Sequence, residues 1–200
     1  GNITSLIYRA FGKPFNEEDK SLLGAPFAQF VKLNTELRHL WNIDKNNAIA
    51  SRMAVGALFT YGNATIAPYS EQFYVGGANS IRAFTVRSVG PGGYHPEEGK
   101  YSYQDQTGTF RFEANVESRF RIFKSFWGAT FLDAGNVWLL RKDRKLLADG
   151  KEARPNSQLR LKTFPKQIAL GTGVGIRYDM DILVFRLDFG IPLHLPYDTE

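Results

Sequence analysis

The sequence has no cysteine, which excludes disulfide frameworks, thiolate zinc clusters and thiol nucleophiles. Its three histidines, His39, His95 and His194, are scattered along the chain, and without a clustered pair of carboxylates they make no metal site. A long apolar run is also lacking, because the longest uncharged stretch, residues 53–70, is interrupted by glycine, asparagine and proline. We therefore expect no enzyme, no bound metal or cofactor, and no membrane-spanning helix.

The composition is that of a folded chain without an extreme charge. Its 200 residues suffice for one domain or for part of a larger one. Hydrophobic residues make up 43% and aromatic residues 14%, which excludes an intrinsically disordered chain. The 25 basic and 20 acidic residues leave a net charge of +5, an excess too small to indicate a nucleic-acid-binding protein.

The hydrophobic residues recur with a period of two, which predicts β-strands. Residues 110–122 show this most clearly, since mostly apolar side chains alternate there with charged or polar ones over 13 positions. One face carries Phe110, Phe112, Ala114, Val116, Ser118, Phe120 and Ile122, and the other carries Arg111, Glu113, Asn115, Glu117, Arg119 and Arg121. Strands of soluble proteins usually have about 5–6 residues, so this length is typical of a membrane-spanning strand.

Five further segments alternate in the same way, and together they predict six strands. The predicted strands are residues 26–40, 47–61, 109–123, 127–139, 166–179 and 182–191. In residues 168–179 one face is apolar, whereas the other is nearly bare, with Ala169, Gly171, Gly173 and Gly175 in succession. A face without side chains lets another segment approach the backbone closely.

The predicted connections alternate between short and long. Short links at 41–46, 124–126 and 180–181 separate long ones at 62–108 and 140–165. Outer-membrane barrels have short periplasmic turns and long external loops, so the pattern predicts an all-β chain from a transmembrane β-barrel. Residues 141–162 hold eight basic and three acidic residues. Such an external loop could bind a lipopolysaccharide phosphate at the outer leaflet, although a merely solvated loop is the commoner case.

Six strands are too few to close such a barrel, whose smallest members have about eight. Residues 1–25 show no strand pattern, and Ile3, Leu6, Ile7 and Ala10 would suit a short helix. We therefore expect a lead-in segment over residues 1–25, and the C-terminal part of a barrel, lacking its last strand, over residues 26–200.

The long connection contains a motif that resembles the BamA/TamA superfamily of outer-membrane assembly factors, the bacterial surface antigen family. That family carries an aromatic residue, Gly-Gly, a serine and Val-Arg-Gly-Phe at the tip of a loop that folds into the barrel. The matching residues are Phe73, Gly76, Gly77, Ser80, Ile81, Arg82 and Phe84, with Ala83 where the family usually has glycine.

Two later segments match the family in the same order. Residues 115–120 contain its Glu-x-Arg pair, Glu117 and Arg119, and residues 131–138 contain its Phe-x-Asp-x-Gly strand with Phe131, Asp133 and Gly135. The resemblance covers residues 26–195, and Gly90-Pro91-Gly92 after the motif is most similar to the TamA-like branch of Bacteroidetes.

The resemblance implies that Arg82 lies on a loop inside the barrel, where an unpaired guanidinium would cost several kcal/mol. Glu117 and Asp133 lie on the inner faces of the next two strands, so we expect a bidentate pairing that holds the loop. Arg119, Phe131 and Gly135 would support this pairing. Phe84 would pack on the glycine-lined wall. The alternatives are that Arg82 is solvated and that Phe84 is an exposed aromatic residue of the loop.

The resemblance also implies the function, which is to insert unfolded client barrels into the bacterial outer membrane together with periplasmic or accessory subunits. The wall would contact membrane lipid, and a weak seam between the first and last strands would pair with the incoming strand. A two-partner secretion pore of the same superfamily and a passive channel remain alternatives. A soluble barrel is another, but it would bury Phe110, Phe112, Val116 and Phe120 inside.

Overall fold

The computed structural model of the chain describes residues 21–22, 25–26, 28–61, 67–96, 106–142, 152–180 and 182–197. Its strands are β1 (Ser21–Leu22), β2 (Ala25–Pro26), β3 (Gln29–Asn42), β4 (Asn47–Tyr61), β5 (Phe110–Phe123), β6 (Phe126–Trp138), β7 (Ala169–Asp179) and β8 (Val184–His194). Single turns of 3-10 helix lie at Tyr69–Glu71 and Phe164–Gln167. Within these ranges, no helix is long and apolar enough to cross a membrane.

The six long strands form one antiparallel sheet in chain order from β3 to β8. They have 11 to 15 residues each, so the prediction of an all-β fold with six long antiparallel strands is confirmed. The short pair β1 and β2 lies apart from this sheet. The short helix predicted around Ile3, Leu6, Ile7 and Ala10 lies outside the described residues, and β1 and the first residue of β2 lie within the predicted lead-in of residues 1–25.

Three strand boundaries differ from the prediction by three residues: β3 begins at Gln29 rather than at residue 26, and proline explains the other two. The strand expected from residue 166 begins at Ala169, because Pro165 lies in the preceding 3-10 turn and cannot donate to a strand ladder. The strand expected to end at 191 continues to His194 through Pro192. Since β8 is an edge strand and its register shifts near Pro192, the missing N–H is tolerated there.

The connections are sorted by length, as predicted. Short turns join β3 to β4, β5 to β6 and β7 to β8 at one end of the sheet, whereas the ends of β4 and β5, and of β6 and β7, are joined by long connections. In the first short turn, Asp44 accepts a hydrogen bond of 2.6 Å from the backbone N–H of Asn46. Such a side-chain bond to the backbone two residues on closes a tight turn without further structure.

The charged positions of the sheet lie on the face that the long loop covers, here called the inner face. Glu113 is 1% exposed and Asp133 is fully buried on this side. Val116 and Phe120 of the opposite, outer face are 48% and 41% exposed. This polarity is the reverse of a soluble barrel and matches a membrane wall whose apolar face contacts lipid.

The apolar core lies between the inner face and loop residues 67–96. Its members come from the loop and from β4, β6 and β7: Leu58, Ala67, Phe73, Val75, Ile81, Phe84, Val89, Val137 and Ala169. Gly56 makes room for the loop, because a Cβ there would lie 2.6 Å from the Phe73 ring. Burying each large apolar side chain contributes about 1.5–3 kcal/mol, so apolar contact is the main term that holds the loop on the sheet.

The exposure of the outer face predicts contact with lipid at single positions. Because the sequence has no cysteine, Val174→Cys and Leu187→Cys each introduce one thiol, at outer-face sites that are 56% and 74% exposed. A nitroxide at either site of the membrane-inserted protein should collide more with oxygen than with a water-soluble nickel chelate. A label at Lys45→Cys, in an exposed turn, should show the opposite preference. Strong nickel relaxation at both outer-face sites would contradict the lipid-facing assignment.

Candidate functional site: an arginine held between two carboxylates

A glycine pair shapes the loop that carries Arg82. Gly76 and Gly77 have φ values of +102° and +91°, in the left-handed region that favours glycine. A Cβ on Gly76 would lie 2.0 Å from the Thr85 carbonyl oxygen. The Gly76 N–H donates to Ser80 Oγ at 3.0 Å, and the Gly77 N–H donates to the Phe84 carbonyl at 2.8 Å. The loop therefore doubles back on itself and presents Arg82 to the sheet.

Arg82 makes a two-pronged contact with Asp133 of β6. Its Nε donates to Asp133 Oδ2 at 2.8 Å, and its Nη2 donates to Oδ1 at 2.9 Å. The Arg82 backbone N–H also donates to Oδ2 at 3.0 Å, and Asn115 Nδ2 donates to Oδ1 at 2.9 Å. Four donors thus satisfy a carboxylate that is completely buried. This planar pairing is specific to a guanidinium.

The third nitrogen of the guanidinium, Nη1, donates to Glu117 Oε2 of β5. The Arg82 side chain is only 8% exposed, and its central carbon lies 3.6 Å from the centre of the Phe131 ring. Burial alone would lower the pKa of Arg82, but the hydrogen bonds to Asp133 and Glu117 outweigh it and raise that pKa above its ordinary value. Arg82, Asp133 and Glu117 are here called the arginine clamp.

Further ion pairs extend the clamp toward β8. Glu117 also accepts hydrogen bonds from Arg119 at 2.7 Å and from Arg177 at 3.1 Å. Asp188 lies 2.5 Å from Arg177 and 3.2 Å from Arg186. Arg186 in turn donates to the Ala78 carbonyl oxygen at 2.8 Å. The loop is therefore held at Ala78 by Arg186, in addition to the contacts that Arg82 makes.

A second group of charges on the inner face was missed by the sequence reasoning. Arg52 of β4 pairs with Glu113 at 2.7 Å and donates to Asn115 Oδ1 at 3.0 Å. Arg52, Asn115 and Asp133 lie directly opposite one another on β4, β5 and β6. The strand register brings these three residues into one row. Alternation within a strand predicts the face of the sheet on which a side chain lies, but it does not predict contacts across the strands. Asn115 joins this group to the clamp.

The bare face of β7 has the role expected of it. A Cβ on Gly171 would lie 2.5 Å from Ala83 Cβ and 3.5 Å from the Phe84 ring. A Cβ on Gly190 of β8 would lie 3.1 Å from the Ala83 backbone. The loop therefore rests directly on the backbone of the sheet, and Phe84 is buried there. Ala83 has no positive φ, so alanine fits where the family usually has glycine.

The remaining predicted residues divide between the clamp and its surroundings. Ile81 is fully buried in the apolar core. A Cβ on Gly135 would lie 2.6 Å from the Phe112 carbonyl oxygen and 3.2 Å from Glu113, both on β5. The described part of the chain holds no group of three histidine, aspartate or glutamate side chains arranged for a metal ion.

A second anchor of the loop lies at the external rim, where β6 continues beyond its pairing with β7. The Gly92 N–H donates to the Val137 carbonyl oxygen at 2.7 Å. Asn136 Nδ2 donates to the Gly92 carbonyl at 2.8 Å and to the Gln167 carbonyl. Trp138 Nε1 donates to Gln167 Oε1 at 2.9 Å. Gly92, Asn136, Trp138 and Gln167, here called the rim cluster, join the loop to the connection before β7.

Replacing Asn136 with leucine should weaken this anchor. The substitution keeps the number and branching of the side-chain heavy atoms but leaves buried carbonyl oxygens of Gly92 and Gln167 without their donor, at a cost of about 2 kcal/mol in unfolding free energy. Urea unfolding in detergent micelles, followed by gel mobility of unheated samples, measures it. Thr130→Ala, at an exposed outer-face position of the same strand, should change the free energy by less than about 0.5 kcal/mol. Equal effects of the two variants would contradict the anchoring role.

The arrangement suits mechanical restraint of the loop. Asp133 accepts four hydrogen bonds, and Glu117 is surrounded by three arginines. The clamp therefore fixes the position of a long loop relative to β5 and β6.

Comparison with known proteins agrees with this architecture. The crystal structure of BamA from Haemophilus ducreyi lacking POTRA domains 1-3 is similar to this chain, with a TM-score of 0.64 at 16% sequence identity. The match covers 86% of this chain and 33% of the BamA chain, so this chain spans about a third of the length of that relative. At such low identity the likeness concerns the fold alone. A family model described as the Omp85 superfamily domain matches residues 20–200, nearly the whole sequence, and the chain therefore belongs to the Omp85 superfamily.

Proposed function

We propose that the chain is the C-terminal barrel portion of an assembly factor that promotes the folding and insertion of client proteins into the bacterial outer membrane. The observation that carries this proposal is the arginine clamp, which fixes a long loop against the inner face. Membership of the Omp85 superfamily supports it. The Gly90-Pro91-Gly92 turn, which reaches the rim cluster, favours a role like that of the TamA-like branch of Bacteroidetes.

The covered inner face argues against a passive channel. Phe73, Ile81 and Phe84 pack on β4, β6 and β7 where a channel would need open, water-filled space. A porin also has no need for a buried arginine with two buried carboxylates, because each buried charge costs several kcal/mol before it is paired. The loop and its clamp are better explained as parts that keep the wall in one shape.

A wall of defined shape is useful for templating strands. The proposed mechanism has a weak seam of the complete barrel open sideways, so that an incoming client strand pairs with the exposed edge. Backbone hydrogen bonds then drive insertion, and no covalent step is involved. The partners of this function are unfolded client barrels, membrane lipid including lipopolysaccharide, and periplasmic or accessory subunits.

Depletion of the full-length protein tests the proposal. We expect many integral barrel proteins to decrease together in isolated outer membranes, measured by quantitative mass spectrometry, with recovery when the wild-type gene is restored. Loss of one secreted protein with normal barrel levels would instead indicate a two-partner secretion pore. A change in small-solute uptake alone would indicate a passive channel. Either of these results would overturn the assembly role.

A further inference from the structure

Strand β8 has little side-chain pairing with β7 on the inner face of the sheet. The inner-face positions of β7 that pair with β8 are Gly171, Gly173, Gly175 and Arg177. Glycine offers no side chain to a cross-strand pair. Arg177 lies directly opposite Arg186, and like charges in such a position are destabilising. The ion pair that crosses the junction on this face joins Arg177 to Asp188 at 2.5 Å.

The outer face of the same junction is apolar on both strands. Val174 lies opposite Phe189, and Ile176 lies opposite Leu187. All four side chains are half or more exposed. Lipid chains are as apolar as these side chains, so in a membrane little free energy is gained when they pair with each other rather than with lipid. The junction between β7 and β8 therefore depends on its backbone ladder and on contacts from outside the sheet.

The loop supplies such contacts along the inner side of β8. Near the short turn before β8, Arg186 Nη2 donates to the Ala78 carbonyl oxygen at 2.8 Å and to Asn79 Oδ1 at 3.1 Å. Four positions further along the strand, Gly190 lies against the loop backbone, since a Cβ on it would lie 3.1 Å from the Cα and N atoms of Ala83. These two groups of contacts are here called the β8 latch.

The same side of the chain keeps contact with the loop beyond the end of β8. The Tyr197 ring stacks on the His95 ring with ring centres 3.9 Å apart. A Cβ on Gly93 would lie 3.3 Å from the Pro196 carbonyl oxygen, and Leu195 packs against the apolar core. The loop and β8 advance together in sequence from the short turn to the opposite end. The loop thus provides along β8 the contacts that the glycines of β7 lack.

We propose that the loop holds the junction between β7 and β8 closed, and that this junction becomes free to open when the loop releases the β8 latch. Arg82 connects the latch to the arginine clamp, because its Nη1 lies 3.9 Å from Asp188 Oδ2. The use of such an opening rests on the proposed function. A β8 strand that leaves β7 exposes a free strand edge, and an incoming client strand pairs with an edge of this kind.

Amide hydrogen exchange of the full-length protein in lipid nanodiscs, read by mass spectrometry of peptides, tests the latch. Arg186→Ala removes the bonds to Ala78 and Asn79 but leaves the pair between Arg177 and Asp188. We expect it to raise the exchange rate of the β8 amides about tenfold or more, because local opening becomes easier. If the loop did not hold β8, the substitution would only relieve the repulsion between Arg186 and Arg177. Unchanged or slower exchange would therefore overturn the latch.

Arg38 on the opposite edge strand, β3, gives the matched control. It lies directly opposite Arg52 of β4 and pairs with Glu36 two positions before it. Arg186 is arranged in the same way on β8 and differs in its bonds to the loop. Arg38→Ala should change the exchange rate of the β3 amides less than about twofold. An equal increase in the two edge strands would mean that the loss of any edge arginine loosens its strand, and it would refute the latch.

A covalent link between the loop and β8 provides a second test. The variant Asn79→Cys/Arg186→Cys, in a sequence without cysteine, should show fast exchange of the β8 amides while its thiols are free. Joining the thiols with a bifunctional reagent about as long as an arginine side chain should restore slow exchange. Fast exchange in the linked protein would contradict the proposal. These measurements need no client protein, so their failure is separate from a failure of the assembly role.

Discussion

Replacing Arg82 with alanine should lower the free energy of unfolding by about 3–5 kcal/mol, because it leaves the buried Asp133 without its counter-ion. Asp133 loses the two hydrogen bonds from the guanidinium, and Glu117 loses its contact to the loop while keeping Arg119 and Arg177. The backbone N–H of residue 82 survives the substitution, but it is held only while the loop stays in place. Urea unfolding of the full-length protein in micelles, read by gel mobility without heating, measures the loss.

The control for Arg82→Ala is a second arginine of the same loop. Arg87 donates to the Tyr69 hydroxyl at 2.7 Å in a more exposed position, so Arg87→Ala should cost at most about 1 kcal/mol. Arg82→Lys should fall between the two, because an ammonium group can pair with one carboxylate but lacks the fork. The clamp would be refuted by an Arg82→Ala variant as stable as Arg87→Ala. If the proposed function holds, client barrels in the outer membrane should fall in the same order.

Adding one methyl group at Gly171 should displace the loop, and removing one from Ala83 should restore it. The new Cβ would lie 2.5 Å from Ala83 Cβ, whereas carbon atoms in contact are about 3.5–4.0 Å apart. Gly171→Ala should therefore cost about 1–3 kcal/mol by overpacking. In the double variant Gly171→Ala/Ala83→Gly the colliding methyl is gone, so most of this loss should be recovered. A double-mutant cycle of unfolding free energies measures the coupling.

Gly190 provides the matched control for this methyl exchange. A Cβ at Gly190 would meet the Cα and N atoms of Ala83 at 3.1 Å, and these backbone atoms remain in Ala83→Gly. Gly190→Ala should therefore not be rescued by Ala83→Gly. Ala83→Gly alone should cost at most about 1 kcal/mol, through the extra freedom of the unfolded chain. Rescue of both glycine variants, or of neither, would show that the loop does not sit on β7 as described.

The arginine clamp was predicted from the sequence because the family resemblance implies that Arg82 lies on a loop inside the barrel, and local signals indicate the turn before it and its partners. Gly76 and Gly77 mark a tight turn, Arg82 needs a carboxylate inside a barrel, and the alternation in residues 110–122 places Glu117 on the charged face. Gly135 was predicted to support the pairing of Arg82, and in the structure a Cβ built on it would meet Phe112 and Glu113 of the neighbouring strand β5.

The rim cluster and the contacts of Arg52 with Glu113 and Asn115 could not be predicted in this way. Asn136 falls on the outer face by alternation, where an exposed, lipid-facing side chain would be expected, yet it is fully buried. Its burial arises because two separate connections, carrying Gly92 and Gln167, meet over it. Neither connection has a periodic pattern that would predict its path. Long connections are positioned by contacts with distant residues, and a single sequence does not contain that information.

By itself the sequence determined the strands, the face that each residue occupies and the sorting of short and long connections. These properties follow from side-chain alternation and turn residues, which act within a few positions of the chain. Tertiary structure alone decided which charges meet across the sheet and where each loop rests. Those contacts depend on strand register and on the close approach of segments such as Arg82 and Asp133, which are 51 positions apart.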